Sequence, residues 1–153
     1  MANLKGVQAT NAAHLPVPSA DKATDLIPII GDYVIVAGNA SGDIVEMCPL
    51  PAGYVPVDVL LDAEDCGTTC TTDVGIMSGN WGDSGVRTMG AEFMSAKALG
   101  TAGLYRMDVV NSTKVAPATN DRSIGLKFST VNTPTAGAKL RLIVLARPAV
   151  EGV

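Results

Sequence analysis

The sequence predicts an all-β chain: a single-domain two-sheet β-sandwich, jelly-roll-like, with an extended N-terminal arm. Three observations point there. Several segments alternate between apolar and polar residues with a period of two, the signature of half-buried strands. Sixteen Gly and nine Pro punctuate the chain between them, as an architecture of many short strands and turns requires. Hydrophobic residues make up 47% of the chain but aromatic ones only 4%, so the core must be built from Val, Ile, Leu, Ala and Met. At 153 residues the chain is one domain's worth. The expected division is an arm over residues 1–30 and a sandwich over residues 31–153.

The arm has neither clean periodicity. Pro16, Pro18 and Pro28 interrupt any helix or central strand. Residues 1–20 are either disordered or ordered only against a partner, making few contacts with their own domain. The apolar residues Leu26, Ile27, Ile29 and Ile30 favour order from Leu26 onward. Gly31 to Ala37 reads as a strand apolar on both faces, hence central or covered by the arm.

The stretch from Gly42 to Met77 organises the rest. Ile44 to Cys48 is a short strand stopped at Pro49, and Pro49-Leu50-Pro51-Ala52-Gly53 is a turn. Tyr54 to Asp62 alternates strictly, which places Val55, Val57, Val59 and Leu61 on a dry face and Asp58 and Asp62 on a wetter one. After a polar loop, Thr72 to Met77 resumes the alternation, and the three strands read as a meander with one acidic face.

Beyond it, Gly79-Asn80-Trp81-Gly82-Asp83-Ser84-Gly85 is loop. Met89, Phe93, Ala96 and Leu99 have helical spacing, enough for two or three turns. Leu104 to Val110, Ser123 to Thr130 and Lys139 to Ala146 alternate again. In the second of these Ile124, Leu126 and Phe128 face inward and Ser123, Lys127 and Ser129 outward. The count is seven strands, or eight with one from the N-terminal segment. An immunoglobulin-like sandwich is the alternative, although its Cys…Trp…Cys framework is missing.

The charge is partitioned. Gly31 to Asp83 holds nine acidic residues and no Lys or Arg, while Arg87 to Arg147 holds nine basic residues against Glu92, Asp108 and Asp121. Either strands from the two halves interleave and neutralise one another, or opposite ends of the molecule carry opposite charge and meet complementary neighbours.

Few residues invite chemistry. Gly82-Asp83-Ser84-Gly85 is the tetrapeptide around the nucleophile of chymotrypsin-like proteases, but such a serine needs a general base, and the chain's one histidine, His14, lies in the arm. Cys48, Cys66 and Cys70 are an odd number, best read as free thiols of a reducing compartment. Cys66 and Cys70 lack the companions zinc would need, and Asp58, Asp62, Glu64, Asp65 and Asp73 lack the spacing of a calcium loop. No cofactor or metal site is expected, and no catalysis. No apolar run is long enough to span a membrane, no basic cluster suggests nucleic acid, and no signal peptide precedes the domain. Synthesis in a cytoplasm follows.

Gly42, Asp43, Leu50, Pro51, Gly53, Asp58, Asp62, Asp65, Asp73, Val74 and Gly75 form a turn-and-strand pattern that resembles the head decoration, or capsid cement, proteins of tailed bacteriophages. Lys139 to Arg147 fits more loosely. The resemblance implies a structural virion protein, made in the host cytoplasm and placed on the outer capsid surface. Its partners would be the major capsid protein and itself, as a homo-dimer or homo-trimer, with no nucleic acid and no membrane. The contacts would come from Leu26, Ile27, Ile29, Ile30, Trp81 and Phe93, the apolar residues of arm and loops. A carbohydrate- or peptide-binding sandwich is the rival reading, and would need a concave face lined by Trp81, Tyr33, Tyr54 and Tyr105.

Overall fold

A computed structural model describes residues 3–5 and 26–149. Among them are nine strands: β1 Asn3–Lys5, β2 Ile27–Val34, β3 Ile44–Leu50, β4 Tyr54–Ala63, β5 Thr71–Met77, β6 Met94–Ala98, β7 Gly103–Arg106, β8 Arg122–Thr130 and β9 Lys139–Pro148. One turn of 3-10 helix covers Ser112–Lys114.

The strands pair as nested brackets. β2 lies antiparallel to β9, β3 to β8, β4 to β7 and β5 to β6. The chain is thus one long hairpin, rolled up so that β9 also pairs with β4 and β8 with β5. Two sheets result, ordered β2-β9-β4-β7 and β1-β3-β8-β5-β6, with β1 added parallel to β3. This is the expected jelly-roll. It is not a meander: β3 and β5 share a sheet with β8 between them, and β4 belongs to the other sheet.

Nested pairing also explains the charge partition. The acidic first half of the chain is laid beside the basic second half, so Asp32 stands opposite Arg141 and Asp73 opposite Lys127. Arg141 Nε donates to Asp32 Oδ1 at 2.7 Å, and Arg106 Nη2 lies 2.9 Å from Asp58 Oδ2. These carboxylates stabilise the charged forms of both exposed guanidinium groups and raise their pKa. The interleaved reading holds for these pairs.

The core fills the space between the inner faces. Ile124, Leu126 and Phe128 from β8 are fully buried, as are Leu142 and Val144 from β9. Tyr33 and Phe128 approach across the sandwich with ring centroids 6.4 Å apart. Cys48, Cys66 and Cys70 are free and buried. Burial pushes the Cys48 thiol up, while a hydrogen bond between Cys66 and Cys70 raises the first and lowers the second.

Four expectations about this framework change. The strand taken to begin at Gly31 begins at Ile27, so the sandwich claims residues assigned to the arm. It is an edge strand of its sheet, not a central one; residues 6–25, and with them the question of cover by the arm, lie outside the described residues. β1 pairs with β3, so residues 3–5 do contact their own domain. The helix expected around Met89 to Leu99 is strand β6, set against β5 with an irregular register between Thr72 and Val74.

The alternation of β4 breaks in its middle. Pro56 pairs with Ala146 and Asp58 with Leu145, leaving Val57 as a bulge with no partner on β9. A bulge of one residue reverses which side chains face inward. Tyr54, Val55 and Pro56 are all buried before it, Val59, Leu61 and Ala63 after it, and Val57 is 37% exposed rather than dry. Val57→Asp should accordingly change unfolding free energy by less than about 1 kcal/mol, since exposed substitutions are mild. A urea titration against the parent checks this.

Candidate functional site

Two long connections leave the regular sheets, residues 78–93 between β5 and β6 and residues 107–121 between β7 and β8. Connections of such length in a compact domain are usually functional. They meet. Trp81 N donates to Asp121 O at 2.9 Å, Asn120 Nδ2 to Asn80 Oδ1 at 2.5 Å, and Asp108 N to Phe93 O at 3.1 Å.

The first connection lies across the outer face of the five-stranded sheet. Gly75, paired with Gly125 on β8, leaves room for it. A Cβ on Gly75 would stand 2.3 Å from the Gly90 carbonyl oxygen, closer than any side chain tolerates. All of β3 is buried, and the connection covers it at Glu46.

A buried ion pair fastens the connection down. Glu46 on β3 and Arg87 on the loop are 2% and 3% exposed, with Arg87 Nη1 2.5 Å from Glu46 Oε1. The same carboxylate oxygen accepts hydrogen bonds from Ser123 Oγ and from Gly82 N, at 2.5 and 2.9 Å. Arg87 also donates from Nη2 to Ser123 Oγ and from Nε to Ser78 O. Backbone and charge are thus tied at both ends of the glycine-rich segment. Ser123, expected to face outward, is buried, with Arg87 Nη2 donating to its hydroxyl. Nothing in the linear sequence links Glu46 to Arg87; a polar residue inside an otherwise apolar strand was the available signal.

Between the two connections runs an open groove of about 790 Å³. Ile76, Met89, Val110 and Val115 give it apolar walls, and Glu92, Lys114 and Arg122 supply charge. Glu92 Oε2 accepts the Ile76 N–H at 2.8 Å, which closes part of the β5 edge. Burial lowers the Arg122 pKa, with Glu92 opposing the shift. On the two connections that flank the groove are the most exposed large apolar side chains of the described residues, Val86 at 86% and Val110 at 84%.

The residues expected to make contacts divide. Leu26 and Ile30 are exposed. Ile29 is buried, and Ile27 packs partly against the core, because an extended strand sends alternate residues to opposite faces. Trp81 is half-buried at the base of its loop. Phe93 is fully buried and cannot present itself to a partner; it is part of the hydrophobic core. Val86, between Gly85 and Arg87, carried no periodic signal; Val110 was expected at the end of an alternating strand from Leu104, but β7 stops at Arg106 and leaves it in the connection. Ser84 is exposed, and His14 lies outside the described residues. The groove's chemistry suits contact with a surface: apolar walls with one acid and two bases along them.

No protein-family model and no curated protein sequence matches the chain. Among solved structures, it is similar to a chain in the capsid of Ralstonia phage GP4, with 32% identity and a TM-score of 0.87. That match covers 98% of this chain and 100% of the other. A chain of the cyanophage Pam1 capsid asymmetric unit shares the fold, with a TM-score of 0.59 at 17% identity over 92% of this chain and 96% of that one.

Proposed function

The chain belongs to the family of phage capsid proteins represented in the capsid of Ralstonia phage GP4, and from that premise we propose that it is a decoration protein. In this reading it binds the outer surface of an assembled shell as a homo-oligomer and cements it by bridging neighbouring major capsid protein subunits. The mechanism is linkage: a ligand with affinity for the assembled lattice and none for its separated subunits stabilises the lattice by mass action.

One observation carries the reading. Val86 and Val110, almost wholly exposed, sit on two connections that are otherwise held firmly by hydrogen bonds and a buried ion pair. Rigid loops tipped with apolar side chains lose little entropy on docking and remove apolar area from water. Paired charges on the sheets leave the apolar tips, rather than long-range attraction, as the main source of affinity.

Capsids assembled without this protein provide the test. Added protein should bind to saturation at a fixed ratio to the coat subunit and raise the temperature at which the shells rupture. Val110→Asp should weaken that binding by about 30-fold or more, the loss of one central apolar contact. Saturable binding that leaves rupture temperature unchanged would remove the cementing role, and no binding at all would remove the decoration role.

A further inference from the structure

The outer face of the sheet β2-β9-β4-β7 should be polar if it met only water, since an antiparallel sheet in that position alternates apolar inside with polar outside. Its middle is not. On β9, Leu140, Leu142, Val144 and Ala146 are buried in the core, and the residues between them include Ile143 and Leu145. Register extends this row across the sheet. Ile143 stands between Ile30 on β2 and Leu60 on β4, and Leu145 stands beside Pro28. Ile30 is 38% exposed and Val34, further along the same face, 46%. A strand apolar on both sides is the pattern of a strand covered on both sides.

The charges around this stripe identify what covers it. Asp32, Asp58, Asp62 and Glu64 are matched on the same face by Arg106, Lys139, Arg141 and Arg147, and two of the pairs are already closed at 2.7 and 2.9 Å. A face built for an oppositely charged surface would present one sign. This one is neutral, with acids and bases alternating about an apolar centre, so it complements a rotated copy of itself. Apolar centres with paired charges at the margin are also what homo-oligomer interfaces look like.

We propose that this sheet face is the surface through which copies of the chain associate, with Ile30, Leu60, Ile143 and Leu145 at the centre of the contact. The inference rests on the homo-oligomeric part of the reading above and gives that oligomer an address, distinct from the groove and valine tips at the loops. Self-association and shell binding then use different surfaces and can be lost separately.

The experiment measures the mass of the full chain by sedimentation equilibrium across a concentration series, alongside circular dichroism. The parent should sediment as a multiple of 15.6 kDa. Ile143→Asp should raise the dissociation constant of that oligomer about 30-fold or more. Should Ile143→Asp fail to fold, Ile30→Lys with Val34→Lys at the exposed edge provides the same reading. Val110→Asp, on the groove, should keep the parent's mass. A parent that is monomeric throughout, or a folded face variant with the parent's mass, overturns the proposal. If the face variant stays oligomeric yet no longer binds shells, the face docks on the coat instead, which also overturns it. Loss of shell binding in Val110→Asp alone bears on decoration and leaves the oligomer untouched, so the two readings fail separately.

Discussion

Arg87→Met should cost about 3–5 kcal/mol of unfolding free energy, the loss expected when one partner of a buried ion pair is removed. That is a large part of the roughly 5–15 kcal/mol that holds a typical domain. The size follows from what the substitution strands. Glu46 is 2% exposed, and its Oε1 takes charge from Arg87 while accepting from Ser123 and Gly82. Without the guanidinium, the buried carboxylate loses the charged partner that Arg87 provides and keeps the neutral donors of Ser123 and Gly82. Replacing both partners should hurt less than replacing one, because the pair's own desolvation cost disappears with it. Glu46→Leu combined with Arg87→Met should therefore recover part of the single-variant loss. Urea titration of the parent, both single variants and the double variant gives the coupling. A double variant as unstable as the sum of the singles would mean that the pair acts through packing alone.

The same cycle has a functional side. Glu46 and Arg87 hold the connection on which Val86 is displayed. The double variant restores stability without restoring the tether to Gly82, so its loop should be looser than the parent's. Shell binding weakened in a stable double variant is the expected result, since ordering the loop on docking then costs entropy.

How much of this was legible in the sequence depends on which physical rule each element obeys. β8 and β9 are regular, and a period of two placed Ile124, Leu126, Phe128, Leu140, Leu142 and Val144 in the core, where they lie. β4 obeys the same rule after Val57 but is buried without alternation before it, and a bulge has no sequence mark of its own. β6 was hidden for a related reason. Two residues there, Ser95 and Ala96, oppose the single Asp73, and Ala96 has φ of 48°. Met89 and Phe93 lie in the connection before β6 and Leu99 just after it, so their helical spacing joins residues of different segments. The charge partition was legible as two alternatives, and topology chose between them by laying the acidic half beside the basic half. The candidate site was the least visible. Glu46 and Arg87 come together only when the hairpin rolls up, and an exposed valine looks in sequence like a buried one.

Phe93→Ala is where the sequence expectation and the structure predict opposite outcomes. As a surface anchor, Phe93 would leave stability unchanged on truncation and its loss would appear only in binding. Its observed place is different. The ring is fully buried in the core cluster. Its backbone is tied on both sides, with Phe93 N donating to Val74 O and its carbonyl accepting from Asp108 N and Val109 N. Phe93 therefore joins β5 to the start of the second long connection, under the groove that carries Val110. Removing the ring should leave a cavity that a backbone held on both sides cannot close, so the full penalty of about 3–5 kcal/mol for a buried Phe→Ala is expected. Phe93→Leu, which fills more of the space, should cost less. The measurement is again urea unfolding, with shell binding of the folded variant as the second reading. A Phe93→Ala protein as stable as the parent, but unable to bind shells, would return Phe93 to the surface and overturn the packing described for this end of the sandwich.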